Sequence, residues 1–206
     1  MPLSAAELNQ HKQAPHVEGV LPVILHRWSP RSFADKAVSA ADLEKVFEAA
    51  RWAASSFNEQ PWRYFVGIKG DPTYEKIYST LVNFNQYWAK AAPVLILGVA
   101  STKFAHNGEK NSHCLYDLGA ASSYLTLQAA ALGLSTHSMA GFDQAGVLAA
   151  FEVPSDFVAG AVIALGYQGE PAELGQEHMI AMEEAPRQRK PLSEFVFSSW
   201  GVPAKL

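Results

Sequence analysis

Four short segments carry the side chains whose types and spacing could do chemistry. In Arg27-Trp28-Ser29-Pro30-Arg31-Ser32-Phe33 two guanidiniums stand four residues apart with hydroxyls between them, a pattern suited to a planar, fork-like grip on phosphate or carbonyl oxygens. Ser55-Ser56-Phe57-Asn58-Glu59-Gln60-Pro61-Trp62 offers donors and acceptors in one short loop, as the edge of a flat heterocycle requires, and Pro61 forces Gln60 into an extended conformation. In Gly133 to Phe142 the glycines let backbone lie close against a flat ring, with main-chain N–H groups facing it. Arg187-Gln188-Arg189-Lys190-Pro191 is the only concentrated positive charge, the partner that a dianionic phosphate elsewhere in the fold would need. Taken singly, each also fits a plainer role: a basic turn before a helix, a polar helix-to-strand loop, a glycine turn, a solvated charge run.

Other chemistries lack their residues. The seven histidines show neither HExxH nor HxH spacing, and the single cysteine, Cys114, removes disulfide frameworks, CxxC pairs and cysteine-based zinc sites. No GxSxG elbow and no GxGxxG fingerprint occurs. Gly141 and Gly146 have phosphate-loop separation, but Val147-Leu148 stands where Lys and Ser or Thr would be needed. With a net charge of −4 and no basic stripe, the chain does not read as a nucleic-acid binder. Cysteine usage, and the absence of a signal-like start or a long apolar run, lead to the expectation of a soluble cytoplasmic protein with no membrane segment.

The elements that must position these segments follow from periodicity. Ser39 with Asp42 resembles a capping box, and Leu43, Val46, Phe47 and Ala50 fall on one helical face, so residues 40–54 are expected to be an amphipathic helix. Arg63 to Ile68, Pro93 to Val99 and Phe157 to Tyr167 read as strands, the second buried on both faces. Residues 113–132 read as a helix stopped by Gly133, whose small-residue middle, Gly119 to Ser123, suits either a tight core or a contact with another subunit. Residues 1–19 read as an irregular leader, a helix is expected to begin within 20–25, and 20–206 read as one α+β domain with an apolar tail. Hydrophobic residues make up 49% and charged residues 17% of the chain, which leans towards an oligomer or a buried cofactor.

The ordered set of Arg-x-Ser-x-Arg-x-Phe, Ser-Ser-x-Asn-x-Gln-Pro-Trp, Ala-Ala-Pro-Val-Leu-Ile-Leu, Asp117-x-Gly119, Met139-Ala140-Gly141-Phe142 and Arg-Lys-Pro-Leu resembles the FMN-dependent nitroreductase family over residues 22–197. The resemblance implies a homodimeric three-layer sandwich, a central mixed sheet with helices on both faces, and FMN at the subunit interface. By the same resemblance Arg27, Ser29 and Arg31, with Trp28 among them, contact FMN from one subunit, and Ser55, Ser56 and Asn58 arrive from the partner. Asn85 lies near the pyrimidine edge, Ala140 and Gly141 beside the ring, and Arg187 and Arg189 on the phosphate. The implied activity is reduction of electron-poor acceptors, such as nitroaromatics or quinones, by NAD(P)H in two half-reactions; an FMN carrier or sensor without turnover is the alternative. Ala140 and Trp88 stand where some relatives have an acidic residue and a lysine, and Lys103 to Asn111 carries no readable signature.

Overall fold

Each predicted helix and strand needs a surface to bury its apolar side, and in the computed structural model, which describes residues 1–206, one four-stranded sheet supplies both surfaces. The chain runs through α1 (Ala5–His11), α2 (Pro22–His26), α3 (Ala40–Arg51), β1 (Trp62–Ile68), α4 (Pro72–Ser79), α5 (Asn83–Ala89), β2 (Val94–Ser101), α6 (Cys114–Ala131), β3 (Ser135–Met139), α7 (Gln144–Ala150), β4 (Phe157–Gly166) and α8 (Glu177–Glu184). A small hairpin, β5 (Phe197–Ser199) and β6 (Val202–Pro203), follows.

Spatial order in the sheet is β1-β2-β4-β3. β2 is apolar on both faces and lies inside the sheet, as its unbroken run of Val, Leu and Ile requires. Its alternate residues divide the core. Leu95, Leu97 and Val99 join Tyr74 and Ile77 of α4, Trp88 of α5, Val147 of α7 and Met179 of α8. Val94, Ile96 and Ala100 join Val46 and Ala50 of α3 and Leu118, Ala121, Leu125 and Ala129 of α6 on the opposite face. The result is the three-layer α+β sandwich.

Within the chain, the sheet departs from the mixed arrangement expected: all three pairings are antiparallel. The reason is topological. β2 and β3, joined through α6, point the same way, but β4 inserts between them and runs against both. A register shift opposite Leu97 and Val99 adds a residue to β4, so Val162 and Ala159 both face the α4–α8 side.

Helix ends follow their caps. The Ser39 hydroxyl accepts from Asp42 N at 3.1 Å, fixing the start of α3, and α6 ends before Gly133, whose φ of 76° lets the chain turn into β3. The expected irregular leader contains a helix instead. In α1 the Ser4 hydroxyl accepts from Glu7 N while the Glu7 carboxylate accepts from Ser4 N, and Leu8 is fully buried. The small-residue stretch of α6 serves two environments, with Ala121 in the core and Gly119 and Ser123 exposed beside Leu115, Tyr116 and Tyr124. No helix is long and apolar enough to cross a membrane.

Candidate functional site

The basic segment after α2 is a turn pinned from several sides. Arg27 closes α2 in an extended conformation, and its Nη1 donates to Ser29 Oγ at 3.2 Å. Pro30 is buried, and its carbonyl accepts from His137 Nδ1 of β3 at 3.0 Å. One residue on, the Arg31 and Ser32 main-chain N–H groups donate to Glu183 of α8, while the Arg31 guanidinium stays partly exposed, its Cζ 6.0 Å from the Phe84 ring centroid. Arg31 Nε is buried without a hydrogen-bond partner.

Charge is concentrated beside this turn. Arg187 Nη1 donates to the carbonyls of Lys12 and Leu25, at 2.8 and 2.6 Å, which carries the segment after α8 back to the end of α2. Burial, together with the charge of Arg189, pulls the Arg27 guanidinium pKa down, and burial with Arg189 and Arg27 does the same to Arg187. No carboxylate pairs with Arg27, Arg187 or Arg189, so three like charges from distant parts of the chain lie near one another with no counter-ion. Such a cluster is complementary to an anion such as phosphate. Trp28 turns elsewhere. Its Nε1 donates to Asn9 Oδ1 at 2.9 Å and its ring lies 4.8 Å from Lys12 Nζ, so it braces α1 while lining a hollow with Arg27.

Asn85 and Gly141 meet. Asn85 Nδ2 and Val82 N both donate to the Gly141 carbonyl, at 3.0 and 3.1 Å, and a Cβ at Gly141 would lie 2.8 Å from Asn85 Nδ2 and 2.9 Å from Val82 Cγ2. Only glycine fits this approach, and Ala140 beside it is exposed.

Ser55, Ser56 and Asn58 belong to a different surface. Ser55 Oγ accepts from Gln60 N at 2.9 Å, and Ser56 N donates to Asp117 Oδ2 of α6 at 3.1 Å. Phe57, Asn58 and Gln60 have φ values of 53°, 55° and 51°, which non-glycine residues rarely adopt, so Gln60 is not in the extended conformation expected before Pro61: the loop, pinned by Ser55 Oγ on Gln60 N, overrides that local preference. Phe57, 82% exposed, stacks edge-on to Phe104 at 5.6 Å, and Glu59 accepts from Ala105 N at 2.9 Å. The segment Lys103 to Asn111 therefore has a readable place after all, clasping this loop.

Arg27 and Asn58 line different cavities. A groove of about 890 Å³ takes Arg27, Gly119, Ser122, Ser138, Gln144 and Gly160 among its walls, whereas Asn58 borders separate, smaller hollows with His106 or Tyr124. Sequence reasoning did not single out Gln144, Lys12 or Glu183, and it quoted Asp117 only as a motif residue and His137 and Ser138 only within their glycine-bounded segment; Gln144 had a local signal, since Asp143 caps α7 through Gly146 N at 2.9 Å.

The sequence model described as the Nitroreductase family matches residues 24–71 and 67–167. The chain belongs to the nitroreductase family. Among solved structures it is similar to one titled as an oxidoreductase containing FMN, with 29% identity, a TM-score of 0.82, and 91% of this chain and 94% of that one covered. An FMN-dependent nitroreductase from Clostridium difficile gives 27% identity and a TM-score of 0.59 over 69% and 83% of the two chains. A shorter match, 40% identical over 65 residues, joins 30% of this nitroreductase-family chain to 29% of the major NAD(P)H-flavin oxidoreductase of Aliivibrio fischeri.

Proposed function

We propose that this nitroreductase-family protein is an FMN oxidoreductase that takes reducing equivalents from NAD(P)H and delivers them to electron-poor acceptors such as nitroaromatics or quinones. The observation that carries the reading is the convergence of Arg27, Arg187 and Arg189 without a carboxylate, next to an Arg31 whose Nε lacks a partner. These residues fit a flavin mononucleotide: the three arginines would hold its phosphate, and Arg31 with Ser29 would meet the N1–O2 side of its ring. When bound, FMN supplies the hydride and electron chemistry, and the protein supplies placement and charge. Arg31 stabilises negative charge that is larger in the reduced than in the oxidised state, a differential interaction that favours reduction. Gly141 and Asn85 shape a close backbone surface for the flat ring, with Ala140 at its edge.

Because Asn58 lines other cavities than Arg27 and Arg31 of its own chain, the complete site is proposed to form between two copies, each giving one set. The left-handed Phe57, Asn58 and Gln60 give the loop a defined shape, which supports that role.

The test is the absorbance spectrum of purified protein before and after anaerobic addition of NADH or NADPH. About one FMN per chain, bleached by a nicotinamide and restored by a quinone, is the expected outcome. Colourless protein that takes up no added FMN refutes the flavin reading, and bound FMN that no nicotinamide bleaches leaves a carrier or sensor.

A further inference from the structure

Glu183, in the last turn of α8, is fully buried. Its Oε1 accepts from Arg31 N at 2.8 Å, Ser32 N at 3.1 Å and Ser32 Oγ at 2.9 Å, and its Oε2 accepts from Arg31 N at 3.0 Å. An isolated buried carboxylate is costly, and this one is satisfied almost wholly by the backbone of two consecutive residues. Its nearest guanidinium contact, Arg31 Nη1, is 3.9 Å away, far from the short two-pronged pairing that Arg and carboxylate form when they bind each other fully. The carboxylate thus anchors the Arg31 main chain and leaves the guanidinium unspent. On the other side of the turn, His137 Nδ1 holds the Pro30 carbonyl at 3.0 Å and Gly169 N holds the Ser32 carbonyl at 3.0 Å. Donors and acceptors of the turn are both fixed, and the groups that hold the Arg31 main chain make no short hydrogen bond to its guanidinium.

We propose that Glu183 is a positioning residue for Arg31, holding the guanidinium towards the ring side of the FMN site. The inference rests on the flavin reading above and adds a residue in α8 that acts only through Arg31. A bound anionic carboxylate used merely as nearby charge would behave oppositely, because removing negative charge makes a flavin easier to reduce.

The experiment is a double-mutant cycle of Glu183→Gln and Arg31→Ala on the holoprotein, reading FMN dissociation constant and flavin midpoint potential. Glu183→Gln is expected to weaken FMN binding on the order of tenfold, since it disturbs hydrogen bonds to a charged group, and to lower the potential. In the Arg31→Ala background it should move neither quantity further. Ser32→Ala, which deletes only the hydroxyl bond, should shift both in the same direction by less and serves if Glu183→Gln fails to fold. A rise in potential, no change in potential, or equal losses in both backgrounds overturns the positioning role while leaving the flavin reading intact. Wild-type protein that binds no FMN overturns the flavin reading itself.

Discussion

At pH 7 the His137 imidazole is neutral. Burial, reinforced by the positive charges of Arg31 and Arg27 and opposed by the hydrogen bonds to Pro30 and Ser29, pulls its pKa down to about 4 from 6.5. The Trp88 ring centroid lies 4.6 Å from that of the imidazole, which completes its apolar side. In the unfolded chain His137 takes a proton as the pH falls through 6.5, whereas in the folded chain it does not until about 4. The unfolded state therefore binds more protons in this window, and His137 contributes stability above pH 6.5 that is lost as the pH falls towards 4, about 3 kcal/mol in full. Urea unfolding at pH 7 and pH 4.5 should show a smaller loss on acidification for His137→Gln than for the wild type; equal losses would refute the assignment. The four arginines were legible in the sequence because charge next to Pro and Ser stands out. His137 and Glu183 were not, because α8 holds Glu177, Glu183 and Glu184 in one short stretch and only tertiary packing decides which is buried.

Among the helices and strands, those with a strong period were legible and those defined by packing partners were not. α3 announced itself through Ser39 and its apolar face, although it ends at Arg51 where periodicity ran to 54, and β2 through an apolar run too short for a helix. α1 was hidden because seven residues with one buried leucine give no period, and its stability comes from contacts with Glu170 and Glu184 far along the chain. The antiparallel order was equally hidden, since nothing local says that β4 enters between β2 and β3. One contact between layers gives a sharp prediction. A Cβ at Gly67 in β1 would lie 2.4 Å from both Tyr74 Cα and Tyr74 N, main-chain atoms of α4 that cannot rotate away. Gly67→Ala is expected to cost ~3 kcal/mol, the upper range for overpacking, read as a lower urea midpoint with unchanged slope.

For the molecule as a whole, the apolar surface outside the core is unevenly placed. Leu115, Tyr116 and Tyr124 of α6 are exposed, and so are Phe195, Trp200 and Val202 of the tail, Trp200 at 96%. The β5–β6 hairpin has strands of three and two residues, too small to be stable by itself in water. A second copy is the occupant proposed for both surfaces, consistent with a site divided between two chains. Ending the chain after Leu192 is expected to shift sedimentation from dimer to monomer and to release FMN in the same step. A truncated monomer that retains FMN would refute the divided site.

The brace around the arginines joins distant stretches of chain. Leu3 N donates to Glu184, Ala5 N to Glu170, Lys12 Nζ to the Ala185 carbonyl and Arg187 to the Lys12 carbonyl, across 181, 165, 173 and 175 residues. During synthesis at roughly 5–20 residues per second, α1 waits roughly 10 to 35 s for these partners to emerge. Arg27 leaves the ribosome well before Arg187 and Arg189, so the three-arginine cluster cannot assemble until the segment after α8 has also emerged. An anion that needs all three arginines is therefore met late in folding, after α1 and the segment following α8 have joined.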